Sequence, residues 1–235
     1  MPRKIKVPKK KANEPDEFIS TSSVVVEYFK NNYRTLMSGA AIGLVLFLIV
    51  FGWLYYTRGK EKEAVNLYNQ AKRIYQSGPR IQKENQPRGE VYRTALEKFE
   101  AVYNNYPDTA SATAASLYLG DCYYHLKEYD KAIEYYMHFI DRSEKDDYLR
   151  CFAFEGLGYC YEEQENCQKA LEYYQESIKE SAGAIKELLY LNVARCYEAL
   201  QDKTNALEFY KKAVDGQSNS LFETLARDKI ALLKN

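Results

Sequence analysis

The sequence predicts an all-α protein, one transmembrane helix followed by an α-solenoid of stacked helix pairs. Three observations carry this reading. No charged residue lies between Arg34 and Arg58, and residues 36–56 read LMSGAAIGLVLFLIVFGWLYY. Downstream, four segments share one frame, beginning at Ala95, Ala132, Ala170 and Ala206, with offsets of 37, 38 and 36 residues. Tyrosine accounts for 23 of the 235 residues, many of them at fixed places in that frame.

The charges set the first limits. The 33 basic and 33 acidic side chains cancel, whereas a nucleic-acid partner normally demands a basic excess to displace phosphate counterions. None is expected. Residues 1–35 carry eight Lys/Arg against four acids, and residues 57–235 carry 25 against 29. A basic tail therefore offsets an acidic body. With 46% apolar residues and 14% aromatics the chain is too apolar to be disordered. The expected organisation is a basic tail over 1–35, a span over 36–56, and a repeat domain over 60–235.

The span comes first. Twenty-one residues make a helix of roughly 30 Å, the thickness of a bilayer's hydrocarbon core. A cleaved signal sequence is the competing reading, but its apolar core would be shorter and followed by small residues. Here the run ends in Trp53, Leu54, Tyr55 and Tyr56, suited to the membrane interface. Arg3, Lys4, Lys6, Lys9, Lys10, Lys11, Lys30 and Arg34 precede it, and only Arg58, Lys60 and Lys62 follow closely. That bias predicts a cytoplasmic N-terminus and an exported body. Gly39 and Gly43 form a GxxxG spacing, which lets membrane helices pack and is the candidate contact for a homo-oligomer.

The repeat elements follow in order. Glu61–Gln76 is expected as the first helix, then a polar loop over Ser77–Gly89, then the helix containing Ala95-Leu-Glu-Lys-Phe99. Pro107 ends that helix and Asp108 or Thr109 can cap the next. Gly120, Gly158 and Ala194 stand twelve residues before the last three frame alanines, and Tyr123, Tyr161 and Tyr197 come three residues later. Small residues let paired helices approach, and the aromatics fill the space between pairs. The segment Asp141–Asp147 reads as an interhelical turn, and Leu221–Leu233 as a terminal cap.

The spacing Gly/Ala–x2–Tyr–x8–Ala–x3–Tyr, as in Gly120, Tyr123, Ala132 and Tyr136, resembles the tetratricopeptide repeat. The resemblance implies an all-helical array with a concave groove that binds proteins or peptides. Carried onto this chain, the groove positions fall at Leu117, Asp121 and Tyr124, then Phe152, Glu155, Tyr159 and Glu162, then Leu188, Leu191, Arg195 and Glu198. Tyr159 is expected to face the groove and Tyr161 to pack between helices. The Lys/Asn/Arg clamp that grips a terminal carboxylate in some relatives is absent, because the central position is Asp121, Tyr159 and Arg195 in turn. An extended, partly apolar and basic polypeptide fits better. The whole layout of tail, anchor and repeats resembles the YfgM-type ancillary subunits of the bacterial Sec translocon. That likeness implies the bacterial inner membrane, a periplasmic repeat domain and a chaperone-like adaptor role. A scaffold of another envelope complex (cell-wall, outer-membrane or motility apparatus) stays open, as does an enzyme with an unrecognised site.

Chemistry-bearing motifs are missing. His125 and His138 are the only histidines, and no HExxH, CxxC or phosphate-binding glycine loop occurs. Glu97, Glu134, Glu172 and Glu208 recur at one frame position, as a solvated helix face would. No catalytic residue, metal or cofactor is expected. Cys122, Cys160 and Cys196 each precede a frame tyrosine and read as small buried apolar residues. Cys160 and Cys167 flank a short turn, where a disulfide would need Cα atoms within about 7 Å.

Overall fold

The computed structural model describes residues 17–78, 88–182, 184–215 and 221–234. They form α1 (Glu17–Ser77), α2 (Arg88–Asn105), α3 (Ala110–His125), α4 (Tyr129–Arg142), α5 (Arg150–Glu163), α6 (Cys167–Glu180), α7 (Ala184–Ala199), α8 (Lys203–Val214) and α9 (Leu221–Lys234). No strand occurs among the described residues. The chain divides into two compact units, Met1–Thr57 and Arg58–Asn235.

The described part of the first unit is helix alone. Its mean hydropathy reaches 2.3 over an 18-residue window, and no residue of that window is buried by protein. Phe47, Ile49, Phe51 and Trp53 all stand more than half exposed. An apolar surface of this length with no protein cover is a candidate membrane span. Nothing lies within 4 Å of a side chain added at Gly39 or Gly43, so both remain open to a second helix.

The second unit starts inside α1. Residues 58–77 supply the first repeat helix, in place of a separate helix beginning at Glu61, and most of the expected Ser77–Gly89 loop lies outside the described residues. Ala64 and Ala71 are fully buried with Ala95, Phe99 and Val102. Glu61 accepts hydrogen bonds from the backbone N–H groups of Ala110 (3.0 Å) and Ser111 (3.2 Å) and from the Ser111 hydroxyl (2.7 Å). An acidic side chain therefore tops the N-terminus of α3, where free N–H groups and the helix dipole favour it. Thr109 caps the same helix through the Ala112 N–H, one of the two residues expected to do so.

The remaining helices alternate between two kinds. Helices α4, α6 and α8 each bury one stripe at i, i+4 and i+7: Ala132, Tyr136 and Phe139; Ala170, Tyr174 and Ser177; Ala206, Tyr210 and Ala213. Helices α3 and α5 are packed on more than one side, which their small residues Ala115, Gly120, Gly156 and Gly158 permit. The core is consequently a series of four clusters strung along the repeats rather than one globule, as expected where each repeat contacts only its neighbours.

The turns from α3 to α4, α5 to α6 and α7 to α8 are built alike. Lys127, Glu165 and Gln201 take left-handed backbones at φ 64°, 59° and 62°. The N–H groups three residues past each helix end reach back in the same way, Glu128 to the Tyr123 carbonyl, Asn166 to Tyr161 and Asp202 to Tyr197. This is the closing motif in which glycine is normally preferred. Left-handed backbone costs an L-residue about 1–2 kcal/mol, and all three residues are exposed. Glu165→Gly is therefore expected to stabilise the domain by about 1 kcal/mol, read as a higher urea midpoint, and a lower midpoint would contradict it.

Candidate functional site

Helices α3 and α5 enclose an open cavity of about 400 Å³ with α4 behind it. It exists because two glycines let the helices approach. A Cβ at Gly120 would stand 2.6 Å from Tyr136 Cδ1, and one at Gly156 would stand 2.7 Å from Tyr136 Cε2. The Tyr136 ring occupies that space instead, and forms part of the cavity wall.

Six of the eleven expected groove residues line this cavity: Leu117, Asp121, Tyr124, Phe152, Glu155 and Tyr159. Tyr118, His125, Tyr136, Leu149 and Gly156 complete it. The other five lie elsewhere. Leu191 is buried among Ala194, Ala206 and Tyr210, Leu188 is half-buried on α7, and Glu162, Arg195 and Glu198 are tied into ion pairs. Arg195 donates to both Glu162 oxygens, at 2.7 Å through Nη2, and Tyr174 donates to Glu162 at 2.8 Å. Glu198 accepts from Lys229 at 3.0 Å and from the Tyr210 hydroxyl at 2.8 Å.

The cavity floor holds two carboxylates. Asp121 accepts hydroxyl hydrogen bonds from Tyr136 (2.7 Å) and Tyr75 (3.2 Å). Desolvation nonetheless pushes its carboxyl up to about 6, against the pull of both hydroxyls. Glu155 is only 8% exposed, and burial raises its pKa too, with a further rise from the nearby Asp121 charge. Its Oε1 accepts the Tyr159 hydroxyl at 2.9 Å, and Tyr159 in turn accepts from Asn192 Nδ2 at 2.9 Å. Tyr159 therefore faces the cavity and also links α5 to α7, with its ring packed edge-on to Tyr174 at 5.7 Å. Tyr161 instead stacks on Tyr173 at 5.3 Å, outside the cavity.

The histidines pack on aromatics. His125 stacks on Tyr92 at 4.1 Å, and His138 meets the edge of Tyr103 at 5.1 Å. All five cysteines are buried and free. Burial pushes the Cys160 thiol up to about 12 and raises Cys122 and Cys196 as well, so they remain protonated small apolar groups. Among the described residues no three His, Cys, Asp or Glu side chains gather as a metal site.

Comparison with known proteins fits this geometry. Residues 111–179 match a family model described as tetratricopeptide repeat, and residues 188–215 match a second of the same description. A Podosopora anserina protein with nearly identical TPR-like repeats is 16% identical, with a TM-score of 0.57 over 74% of this chain and 86% of that one. A variant of it scores the same over 85% of its chain. The crystal structure of MamA is 19% identical with a TM-score of 0.49, covering 62% of this chain and 82% of its own. The two that score 0.57 are likenesses of fold alone. No curated protein matches the chain. With matched repeats running from α3 to α8, and the same alanine–tyrosine stripe on each outer helix, these six helices form an α-solenoid of tetratricopeptide-like helix pairs.

Proposed function

We propose that this protein is a membrane-tethered adaptor whose repeat groove receives an extended segment of another protein on the exported side. One observation carries the reading: an open, aromatic-walled cavity at the centre of the repeat array, on a chain that also bears an uncovered apolar helix. Repeat arrays of this kind offer concave surfaces to polypeptides, and a tether raises the local concentration of a weak binding site near a membrane machine. The basic residues before the span favour a cytoplasmic N-terminus and a periplasmic repeat domain in a bacterial inner membrane. The resemblance in layout to ancillary Sec subunits makes translocating or newly exported chains the first candidates for clients. Homo-oligomerisation through Gly39 and Gly43 would add valency.

The test is photo-crosslinking in cells from Phe152, which lines the cavity and is 38% exposed, against Tyr161 as a control outside it. Crosslinks to a translocon subunit or an exported client are expected from position 152 and not from 161. Phe152→Ala should weaken capture by tenfold or more, since a central aromatic anchor contributes about 2 kcal/mol, with little change in melting temperature. Phe152 is a better probe than Tyr159, whose hydrogen bonds to Glu155 and Asn192 make its truncation a stability change as well. Equal crosslinking from both positions, or protection of the repeats when protease is added to spheroplasts, would overturn the reading.

A further inference from the structure

The groove carboxylates fall into two groups. Glu162 and Glu198 each receive a cation from the next helix layer, Arg195 and Lys229 respectively. Arg195 directly follows Ala194, and the residue in the same place one repeat earlier, after Gly158, is Tyr159. Glu162 is likewise replaced one repeat earlier by Tyr124, so the ion pair gives way to two rings 6.1 Å apart. Asp121 and Glu155 stand at other repeat positions than Glu162 and Glu198 and sit in the cavity with hydroxyl donors only, and no Lys or Arg lines it. Glu155 is more than nine-tenths buried, and its Oε2 has no hydrogen-bond or ion-pair partner among the described residues. That oxygen is not sealed from solvent and stands as a free acceptor in the cavity, where a cationic donor would form a charge-assisted hydrogen bond.

Resting on the groove reading above, we infer that this cavity is an anchor subsite for the cationic side chain of a lysine or arginine in an extended segment of a partner protein. The ammonium or guanidinium group sits against Glu155 Oε2 and Asp121. The methylene stem lies between the rings of Tyr124, Phe152 and Tyr159, which suit both an aliphatic chain and a cation over their faces. A bare metal ion fits poorly, because no third ligand converges on the two carboxylates. The cavity, at about 400 Å³, also has room for a side chain and its flanking backbone.

The experiment is a positional-scanning nonapeptide library presented to the full chain in detergent micelles, with norleucine included as an uncharged match for lysine. Lysine or arginine at one position should be enriched at least tenfold over norleucine. Glu155→Gln should abolish that enrichment while leaving apolar preferences elsewhere in the peptide, and Glu162→Gln, already neutralised by Arg195, should keep it. Peptides retained by the wild-type chain without a basic preference would overturn the subsite and leave the groove standing. Retention of no peptide at all would overturn the groove reading and the subsite together. The enrichment is read on the wild-type chain, so a variant that melts early does not spoil the decision.

Discussion

Tyr136→Ala is expected to cost the repeat domain about 3–5 kcal/mol, the range for removing a large buried aromatic ring. Tyr136 is 2% exposed, and its ring fills the space above both Gly120 and Gly156, joining α3, α4 and α5 at one point. No neighbouring side chain can close the hole, because the facing residues are glycines held by their own helices. Truncation also takes from Asp121 a hydroxyl donor at 2.7 Å, leaving a poorly solvated carboxylate with one partner fewer. Tyr136→Phe separates the two parts. It keeps the ring and removes only the hydrogen bond to a charged group, with an expected cost of about 1.5–3 kcal/mol. Urea denaturation followed by circular dichroism on the full chain reads both. A loss below about 1 kcal/mol for the alanine variant would mean that the repeats do not depend on this ring.

Gly158→Val is expected to destabilise the domain by about 3 kcal/mol, at the upper end of overpacking costs. A Cβ there would stand 2.5 Å from Tyr174 Cδ1. Tyr174 is fully buried and held at its hydroxyl by Glu162 at 2.8 Å. The ring cannot swing aside without breaking that bond and disturbing Tyr159, its edge-on neighbour. Helix propensity opposes the effect only slightly, since valine is a better helix former than glycine by a few tenths of a kcal/mol. Gly59→Ala is the control. Nothing lies within 4 Å of a Cβ at Gly59, so that change should be neutral or stabilise by up to about 1 kcal/mol. A comparable loss of melting temperature in both variants would show that the close approach of α5 and α6 is not what Gly158 provides.

Both predictions rest on positions that the repeat frame already marks. Gly158 and Tyr174 recur at fixed places, and a small residue facing a large one is a local packing rule that a periodic sequence writes out several times. The same holds for the Thr109 cap, which precedes its helix by one residue and needs nothing distant. Six of the eleven positions carried over from the resemblance line the cavity, because helical spacing places them on one face. The turns were not legible. Lys127, Glu165 and Gln201 occupy left-handed positions without being glycine, so the usual composition signal is absent and only the backbone bonds around them reveal the motif.

The sequence by itself determined the long apolar helix, the helix pairs and the alanine–tyrosine stripe, because apolar runs and helical periods act over one to four turns. Tertiary structure decided which acids meet a cation and which meet only hydroxyl donors. Glu162 meets Arg195 and Glu198 meets Lys229 across 33 and 31 residues, and Tyr75 reaches Asp121 across 46. Glu61 finds the start of α3 at a similar remove. Electrostatic satisfaction is set by distances of a few ångströms between side chains from different repeats, and the order of residues along one helix holds no record of those distances.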